Sequence, residues 1–352
     1  INNRFILWEI AWKSIKENPI AGIGRENFER AFDKNFNPAF LSSNSTEGYS
    51  DREHNIVLDE LVNGGVINAI AFLGVTCVLF LMVWRTRNIF LGAIFIGYLI
   101  PMLFSLTTLA VYLPLAFTMA LIQTEKKAYH LPKFSSNIIA LSLSVFIVGG
   151  TFLITVPQIR ANYHVNTALL AAQSLSEDFI EHVKKAYSIL PTKTPIGAEL
   201  SSIIASDYGT TGLQLLPPQV VDRMVKNGLA FEPIISSFVS QYPNNTRLLS
   251  QYGVLLYTIA HFTHNSDHIS RAIKVWETAV FKQPKRQNFL MSAAATYILA
   301  GNTDRAVELF NAASDVTTDI GFLQWQMGEL LIKSNFVELA GEYFTKALDN
   351  KF

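Results

Sequence analysis

The first half of the chain contains three long runs without a charged residue, at 61–84, 88–124 and 134–158. A helix needs about 20 apolar residues to cross the roughly 30 Å hydrocarbon core of a bilayer. The first and third runs therefore each predict one membrane-spanning helix. The middle run would measure roughly 55 Å as a single helix, which is too long for one crossing.

Positive charges flank the middle run on both sides. Short loops rich in lysine and arginine stay in the cytoplasm, so a segment with positive flanks at both ends crosses the membrane twice. The flanking residues are Arg85, Arg87, Lys126, Lys127 and Lys133. A turn near 105–108 completes this arrangement, which places residues 1–60 and the region after Arg160 outside the cytoplasm. Within a transmembrane region of 61–158, the predicted spans are 62–84, 88–105, 108–124 and 135–157.

Small and aromatic residues recur with a 34-residue period in the last third of the chain. The pattern is typical of the second helix of a tetratricopeptide repeat, a two-helix unit that stacks into a solenoid. The three series are Ala272, Ala306 and Ala340; Trp276, Phe310 and Phe344; and Ala279, Ala313 and Ala347. We predict such repeats over 245–352 and degenerate helical repeats over 159–244. Because these solenoids bind peptides or proteins along a concave face, a protein partner is expected there.

The composition agrees with a membrane protein and narrows its partners. Half of the residues are hydrophobic and 16% are charged, against about 25% charged in a typical soluble domain. The 28 basic and 28 acidic side chains balance, and without a basic tract no nucleic-acid partner is expected. The expected fold class is all-α, with about four membrane helices followed by an α-solenoid. The chain starts at Ile1 without a signal-peptide pattern, and we expect it to be a piece of a longer protein.

Residues 3–17 have the periodicity of an amphipathic helix that ends at Asn18-Pro19. Its apolar face would carry Trp8, Ala11, Trp12 and Ile15. Tryptophan is well suited to a membrane interface, so this helix either lies in the interface or packs on the spans, and the sequence leaves both open. The G-x-G that follows, Gly22 and Gly24, permits tight turns. It is a weak signal for phosphate binding because it does not follow a strand.

Titratable residues crowd the ten positions at which the chain enters the first apolar run. They are Asp51, Arg52, Glu53, His54, Asp59 and Glu60. Charged groups at the mouth of a span are costly unless they are paired or functional. On a continuous helix, Arg52, Asn55 and Asp59 would share one face. No metal is expected in the chain, because no cysteine or acidic cluster joins the three histidines at 261, 264 and 268.

Three motifs in the first 65 residues carry a family resemblance. They are R-x3-W at Arg4–Trp8, N-P-I-x-G-I-G-x-x-N-F at Asn18–Phe28 and H-N-x-x-L-x-x-L-x-x-x-G at His54–Gly65, followed by an apolar span. In this order they resemble the Wzy_C region, the shared domain of O-antigen ligases and O-antigen polymerases. By pattern the resemblance covers about residues 1–125. Several bacterial members also carry C-terminal tetratricopeptide repeats, which matches the rest of the chain.

The resemblance implies a polytopic glycosyltransferase of the GT-C class in the bacterial inner membrane. Such an enzyme takes a glycan from undecaprenyl pyrophosphate and transfers it to a glycan, lipid or protein acceptor outside the cytoplasm. The resemblance implies no metal and no cofactor. This chain is similar to the C-terminal portion of the family, whose further spans upstream it lacks. Ligase, polymerase and protein O-glycosylating activities all remain open.

The resemblance also assigns roles to individual residues. His54 would be the base for the acceptor hydroxyl or would position a substrate. Arg4 and Arg52 would stabilise the diphosphate leaving group. Supporting contacts to substrate are expected from Arg25, Asn55 and Asp51. The alternative function is a membrane-anchored tetratricopeptide scaffold without catalysis, and a transporter subunit is least favoured because the predicted spans contain few polar residues.

Overall fold

A computed structural model describes residues 2–25, 27–41, 49–103, 133–173, 178–189, 217–316 and 320–350. These parts form 13 α-helices and one 3-10 turn, and no strand occurs among them, which confirms the all-α prediction. The chain divides into two compact units, Ile1–Pro132 and Lys133–Phe352.

The first unit contains four helices. They are α1 (Asn2–Glu17), α2 (Phe28–Lys34), α3 (Ile56–Thr86) and α4 (Ile89–Met102), with a 3-10 turn at Pro38–Leu41. Helix α1 packs against both α2 and α3. Their shared core includes Leu7, Ile10, Ala11, Phe28, Phe32, Phe40 and Val62. The structure therefore shows α1 packed on the protein. Trp12 of the same apolar face is 52% exposed.

Helix α3 is broken at Gly65, which has φ +65° and ψ −162°. The loop that follows α1 fills the break with backbone hydrogen bonds. Ile23 N donates to Val62 O at 2.8 Å, and Val66 N donates to Pro19 O at 2.8 Å. A buried helix break needs such partners, because unpaired backbone groups are costly away from water. The break divides α3 into a short first segment and a longer second segment.

The second segment of α3, residues 66–86, spans about 31 Å, which matches the thickness of a bilayer core. Among the described residues, α3 is the one helix long and apolar enough to cross a membrane, and α4 is a shorter apolar helix. The first predicted span is thus confirmed as a candidate by length and composition. The third, 108–124, lies outside the described residues. The fourth, 135–157, lies within one continuous helix, Lys133–Gln173.

The second unit is a succession of helices. They are α5 (Lys133–Gln173), α6 (Phe179–Ile189), α7 (Pro218–Gln241), α8 (Thr246–Thr263), α9 (Ser266–Lys282), α10 (Gln287–Leu299), α11 (Thr303–Val316), α12 (Ile320–Lys333) and α13 (Val337–Asp349). From α8 onward they pack as consecutive pairs, α8 on α9, α10 on α11 and α12 on α13. Turns of two to four residues connect each pair, which favours antiparallel neighbours.

The 34-residue series defines the interior of these pairs. All six alanines of the two alanine series are 0% exposed. Small residues also make room for the aromatic series: a Cβ on Gly253 would lie 2.5 Å from the Trp276 ring, and one on Gly328 would lie 2.6 Å from the Phe344 ring. The residues predicted to recur every 34 positions are therefore the residues that pack between the helices. The assignment of these pairs as tetratricopeptide repeats stays a prediction.

Candidate active site at the mouth of the first membrane helix

The segment that carries His54 is a loop, and helix α3 begins only at Ile56. Asn55 is its N-cap, and its side-chain oxygen accepts hydrogen bonds from Val57 N at 3.0 Å and Leu58 N at 3.2 Å. Asparagine favours this position because it satisfies amides that the first turn leaves free. The expectation that Arg52, Asn55 and Asp59 share one helix face is wrong, because two of these residues precede the helix.

His54 adopts a left-handed backbone conformation with φ +57°. Such a conformation is uncommon for a residue other than glycine and costs about 1–3 kcal/mol unless the surroundings hold it in place. Two contacts next to it do so. Ser50 Oγ donates to Arg52 O at 2.9 Å, and the Asn55 cap fixes the other side. The His54 side chain is partly exposed, so the strained loop presents an imidazole to the surroundings.

Helix α1 is attached to this loop through Trp8. Its indole Nε1 donates to Glu53 O at 3.0 Å, across 45 positions of sequence. Arg4 lies one turn before Trp8, so both side chains project from the same side of α1. In the R-x3-W motif, the tryptophan therefore binds the histidine loop, and the arginine lies one helical turn from that tryptophan. Arg4 is exposed and Arg52 is partly exposed.

Arg25 has a different setting. Its Nη2 lies 3.8 Å from Glu60 Oε2, and the Arg25 side chain is 71% exposed while that of Glu60 is 8% exposed. Asn68 Nδ2 also donates to the same carboxylate. The described partner of Arg25 is thus a buried acid of α3. Asp51 is exposed at the start of the loop, next to Arg52.

The glycines of the motifs serve the chain crossing at the break in α3. Gly22 has φ +64°, and a Cβ there would lie 2.4 Å from Val62 O. A Cβ on Gly65 would lie 2.1 Å from Ile20 O. The amide of Gly24 donates to Asn63 O at 3.0 Å, so this N–H is already engaged and does not cradle a phosphate. In this structure the G-x-G pattern allows the loop to pack closely against α3.

Glu53 is a feature of the site that sequence reasoning left without a role. Its side chain is 0% exposed. Burial, and after it the negative charge of Asp59, raise the pKa of Glu53 to about 9, while Arg52 acts in the opposite direction. The carboxyl group is therefore neutral at pH 7. The sequence showed an acid beside His54, but nothing local distinguishes a buried glutamate from the exposed Asp51.

Among the described residues, no three or more metal-binding side chains come together. The chemistry that the loop offers is that of a histidine, with Arg52 two positions before it, at the entrance of an apolar helix; Arg4 lies on the helix that Trp8 attaches to this loop. Cationic groups suit an anionic leaving group, and a histidine can exchange a proton near neutral pH.

Residues 1–73 match the Wzy_C family model, described as O-antigen ligase. The match covers α1, the histidine loop, the break in α3 and the start of its longer segment, and it indicates a membrane function of the O-antigen ligase or polymerase type. No curated protein matches the chain. A solved structure, "MamA RS-1 ArsTM double mutant", aligns with 55% of this chain and 94% of its own, at 14% identity and a TM-score of 0.36. A likeness at that TM-score supports no statement about fold or function.

Proposed function

We propose that this chain carries the active-site loop of a membrane glycosyltransferase of the O-antigen ligase type. The enzyme transfers a glycan from undecaprenyl pyrophosphate to a glycan, lipid or protein acceptor outside the cytoplasm. The observation that supports this most is the placement of His54 in a strained loop fastened to the Arg4-bearing helix. Both elements lie within the residues that match the O-antigen ligase model.

In the proposed reaction, the acceptor hydroxyl attacks the anomeric carbon of the donor glycan. The bond between that carbon and the diphosphate oxygen breaks, and undecaprenyl pyrophosphate leaves with the electron pair. His54 accepts the proton of the acceptor hydroxyl, because an imidazole is basic enough at neutral pH. Arg4 and Arg52 stabilise the negative charge that develops on the diphosphate, to which a guanidinium can donate two hydrogen bonds.

The other expected site residues position the loop and its charged groups and do not act on the reacting atoms. Asn55 uses its oxygen to cap α3 and thereby keeps His54 at the helix entrance. Asp51 orients Arg52, its neighbour in the loop. Arg25 neutralises Glu60 and keeps the crossing loop on α3. These roles are part of the proposal, and of the three residues Arg25 is the least directly involved in the reaction.

The setting we propose is the bacterial inner membrane. Residues 1–60 and the helical repeats both lie on its extracytoplasmic side, as the charges that flank the apolar runs predict. There the repeats, which we take to be tetratricopeptide units, hold the acceptor or a partner protein along their concave face.

The test is glycan transfer in cells by the full-length protein at matched membrane levels. His54→Asn removes the base and keeps a residue that tolerates the left-handed backbone, and we expect transfer to fall by at least about 100-fold. Arg4→Ala should also lower transfer strongly. Arg30→Ala, which removes an exposed arginine of α2, is the matched control and should transfer like the wild type. Wild-type transfer by His54→Asn and Arg4→Ala would favour the anchored scaffold instead.

A further inference from the structure

Glu53 is a buried acid for which the proposed reaction has no use. Its side chain is completely buried, and neither carboxylate oxygen receives a hydrogen bond from a donor in the described part of the chain. An ionised carboxylate in such a place would be very costly, because its charge would be neither hydrated nor paired. Glu53 is therefore retained as a neutral acid, which has an O–H group to donate.

Asp59 is the acceptor that the surroundings of Glu53 offer. The negative charge of Asp59 and a side-chain hydrogen bond to it both raise the pKa of Glu53. Two carboxylates cannot bond to each other while both are ionised, but one that keeps its proton can donate to the other. Asp59 also accepts from Asn63 Nδ2 at 3.0 Å. Asp59 thus receives one hydrogen bond from its own helix.

We propose that Glu53 is a positioning residue for His54, whose protonated carboxyl donates to Asp59 and fastens the histidine loop to the first turns of α3. The inference rests on the proposed function for the role of His54. The main chain of Glu53 is held from the other side, because Trp8 of α1 donates to its carbonyl oxygen. The residue is consequently fixed between two helices through its backbone and its side chain.

This double attachment explains how the neighbouring backbone stays in its strained form. A left-handed residue persists only when the surroundings impose it, and His54 directly follows Glu53 in the chain. Other acids near the loop are differently placed: Asp51 is exposed, and Glu60 is paired with Arg25. Arg52 lowers the pKa of Glu53 only weakly.

The discriminating pair of variants is Glu53→Gln and Glu53→Leu in the full-length protein. Glutamine keeps a neutral donor of the same shape, so we expect transfer close to that of the wild type. Leucine fills a similar volume without a donor. It should insert and fold normally, since an apolar residue suits a buried site, but transfer should fall about tenfold because the loop loses its hydrogen bond to Asp59. If glutamate only filled space, the leucine variant would transfer like the wild type, and the proposal would be overturned.

A second measurement does not depend on transfer. Infrared spectra of the purified full-length wild type and Glu53→Gln at pH 7 should differ by the carbonyl band of one protonated carboxyl group. Absence of that band would overturn the proposal, whatever the variants do to activity. If the band is present but His54→Asn transfers normally, the carboxyl pair stands and the proposed function fails. The two results therefore distinguish the inference from the function on which it rests.

Discussion

The two units of the chain place their unusual backbone conformations differently. In the second unit, the described residues with positive φ are His264, Gly301 and Asn335, and each lies in a turn between consecutive helices. In the first unit, Arg87 likewise has positive φ in the turn between α3 and α4, whereas Gly22, Gly24, His54 and Gly65 surround the break in α3 and the loop before it. The positive-φ residues of the repeats lie where the chain turns between helices, whereas most of those in the first unit lie around the candidate site.

The units also differ in how they bury polar groups. In the repeats, Tyr252 Oη donates to Glu232 at 2.6 Å and accepts from Arg271 at 2.7 Å, so a carboxylate between helices has a cationic partner. In the first unit, Glu60 is likewise paired with Arg25, but Glu53 is buried beside the partly exposed acid Asp59. A buried carboxylate with a cationic partner can be explained by packing alone. A neutral acid held beside a strained histidine indicates a site where geometry has been favoured over stability.

The largest effect that separates the units is expected from Gly65→Ala. The new methyl group would need a positive φ and would collide with Ile20 O at 2.1 Å. We expect the free energy of unfolding of the first unit to fall by more than about 4 kcal/mol, measured as loss of folded full-length protein in membranes. Gly74→Ala in the same helix meets nothing within 4 Å and is the control. Equal yields of the two variants would contradict the crossing-loop geometry.

A smaller and local effect is expected from Gly328→Ala in the repeats. Its Cβ would lie 2.6 Å from the Phe344 ring, so α12 and α13 must separate slightly, at a cost of about 1–3 kcal/mol. Gly341→Ala meets open space and should be neutral or stabilising by up to about 1 kcal/mol. The measurement is the Tm of the two purified full-length variants, compared with that of the wild type. A slight separation of α12 and α13 leaves the other helix pairs in place, so glycan transfer by the surviving protein should change little. A matching loss of transfer would show that transfer depends on the exact packing of this helix pair.

Stability should depend on pH through Glu53. Its pKa is raised from the ordinary value of 4.5 to about 9, so the folded state keeps a proton that the unfolded state loses. The stabilisation is fully present below pH 4.5 and is lost as pH rises through about 9, with a slope of up to about 1.4 kcal/mol per pH unit. The Tm of the wild type should therefore fall relative to that of Glu53→Gln between pH 5 and 9. A difference in Tm that does not change with pH would show that Glu53 is ionised in the folded protein.

The smallest effect is expected from Trp8→Phe. Phenylalanine keeps an aromatic ring but cannot donate to Glu53 O, and a lost hydrogen bond of this kind is worth about 1 kcal/mol. Transfer should fall about fivefold while folding persists. Trp12→Phe changes a tryptophan that is 52% exposed on the same helix and should transfer like the wild type. If both variants behave alike, the attachment of α1 to the histidine loop does not matter.

The regular parts of this molecule could be predicted from the sequence. The 34-residue series identified the buried alanines, such as Ala306 and Ala340, because one local period defines one buried face. The first long apolar run identified α3 because a charge-free run of that length is typical of a membrane-spanning helix. Gly22 and Gly24 were recognised as turn residues, although the sequence did not reveal that their loop fills a helix break.

The irregular parts could not be predicted, because they depend on contacts distant in sequence. The spacing of Arg52, Asn55 and Asp59 imitates a helix, but Asn55 ends the loop as an N-cap. Trp12 has the same apolar character as Trp8, yet only Trp8 meets the histidine loop, 45 positions away. The burial of Glu53 results from that same packing. No periodicity within the loop could have distinguished it from its charged neighbours.

The most direct test of the account is glycan transfer by the full-length His54→Gly variant, with and without added imidazole. Glycine accepts the left-handed backbone without strain, so the loop keeps its shape and loses only the side chain. We predict that transfer is almost abolished and that added imidazole restores part of it, because a free base can enter the vacated space. Wild-type transfer by His54→Gly without imidazole would contradict the assignment of this loop as the active site.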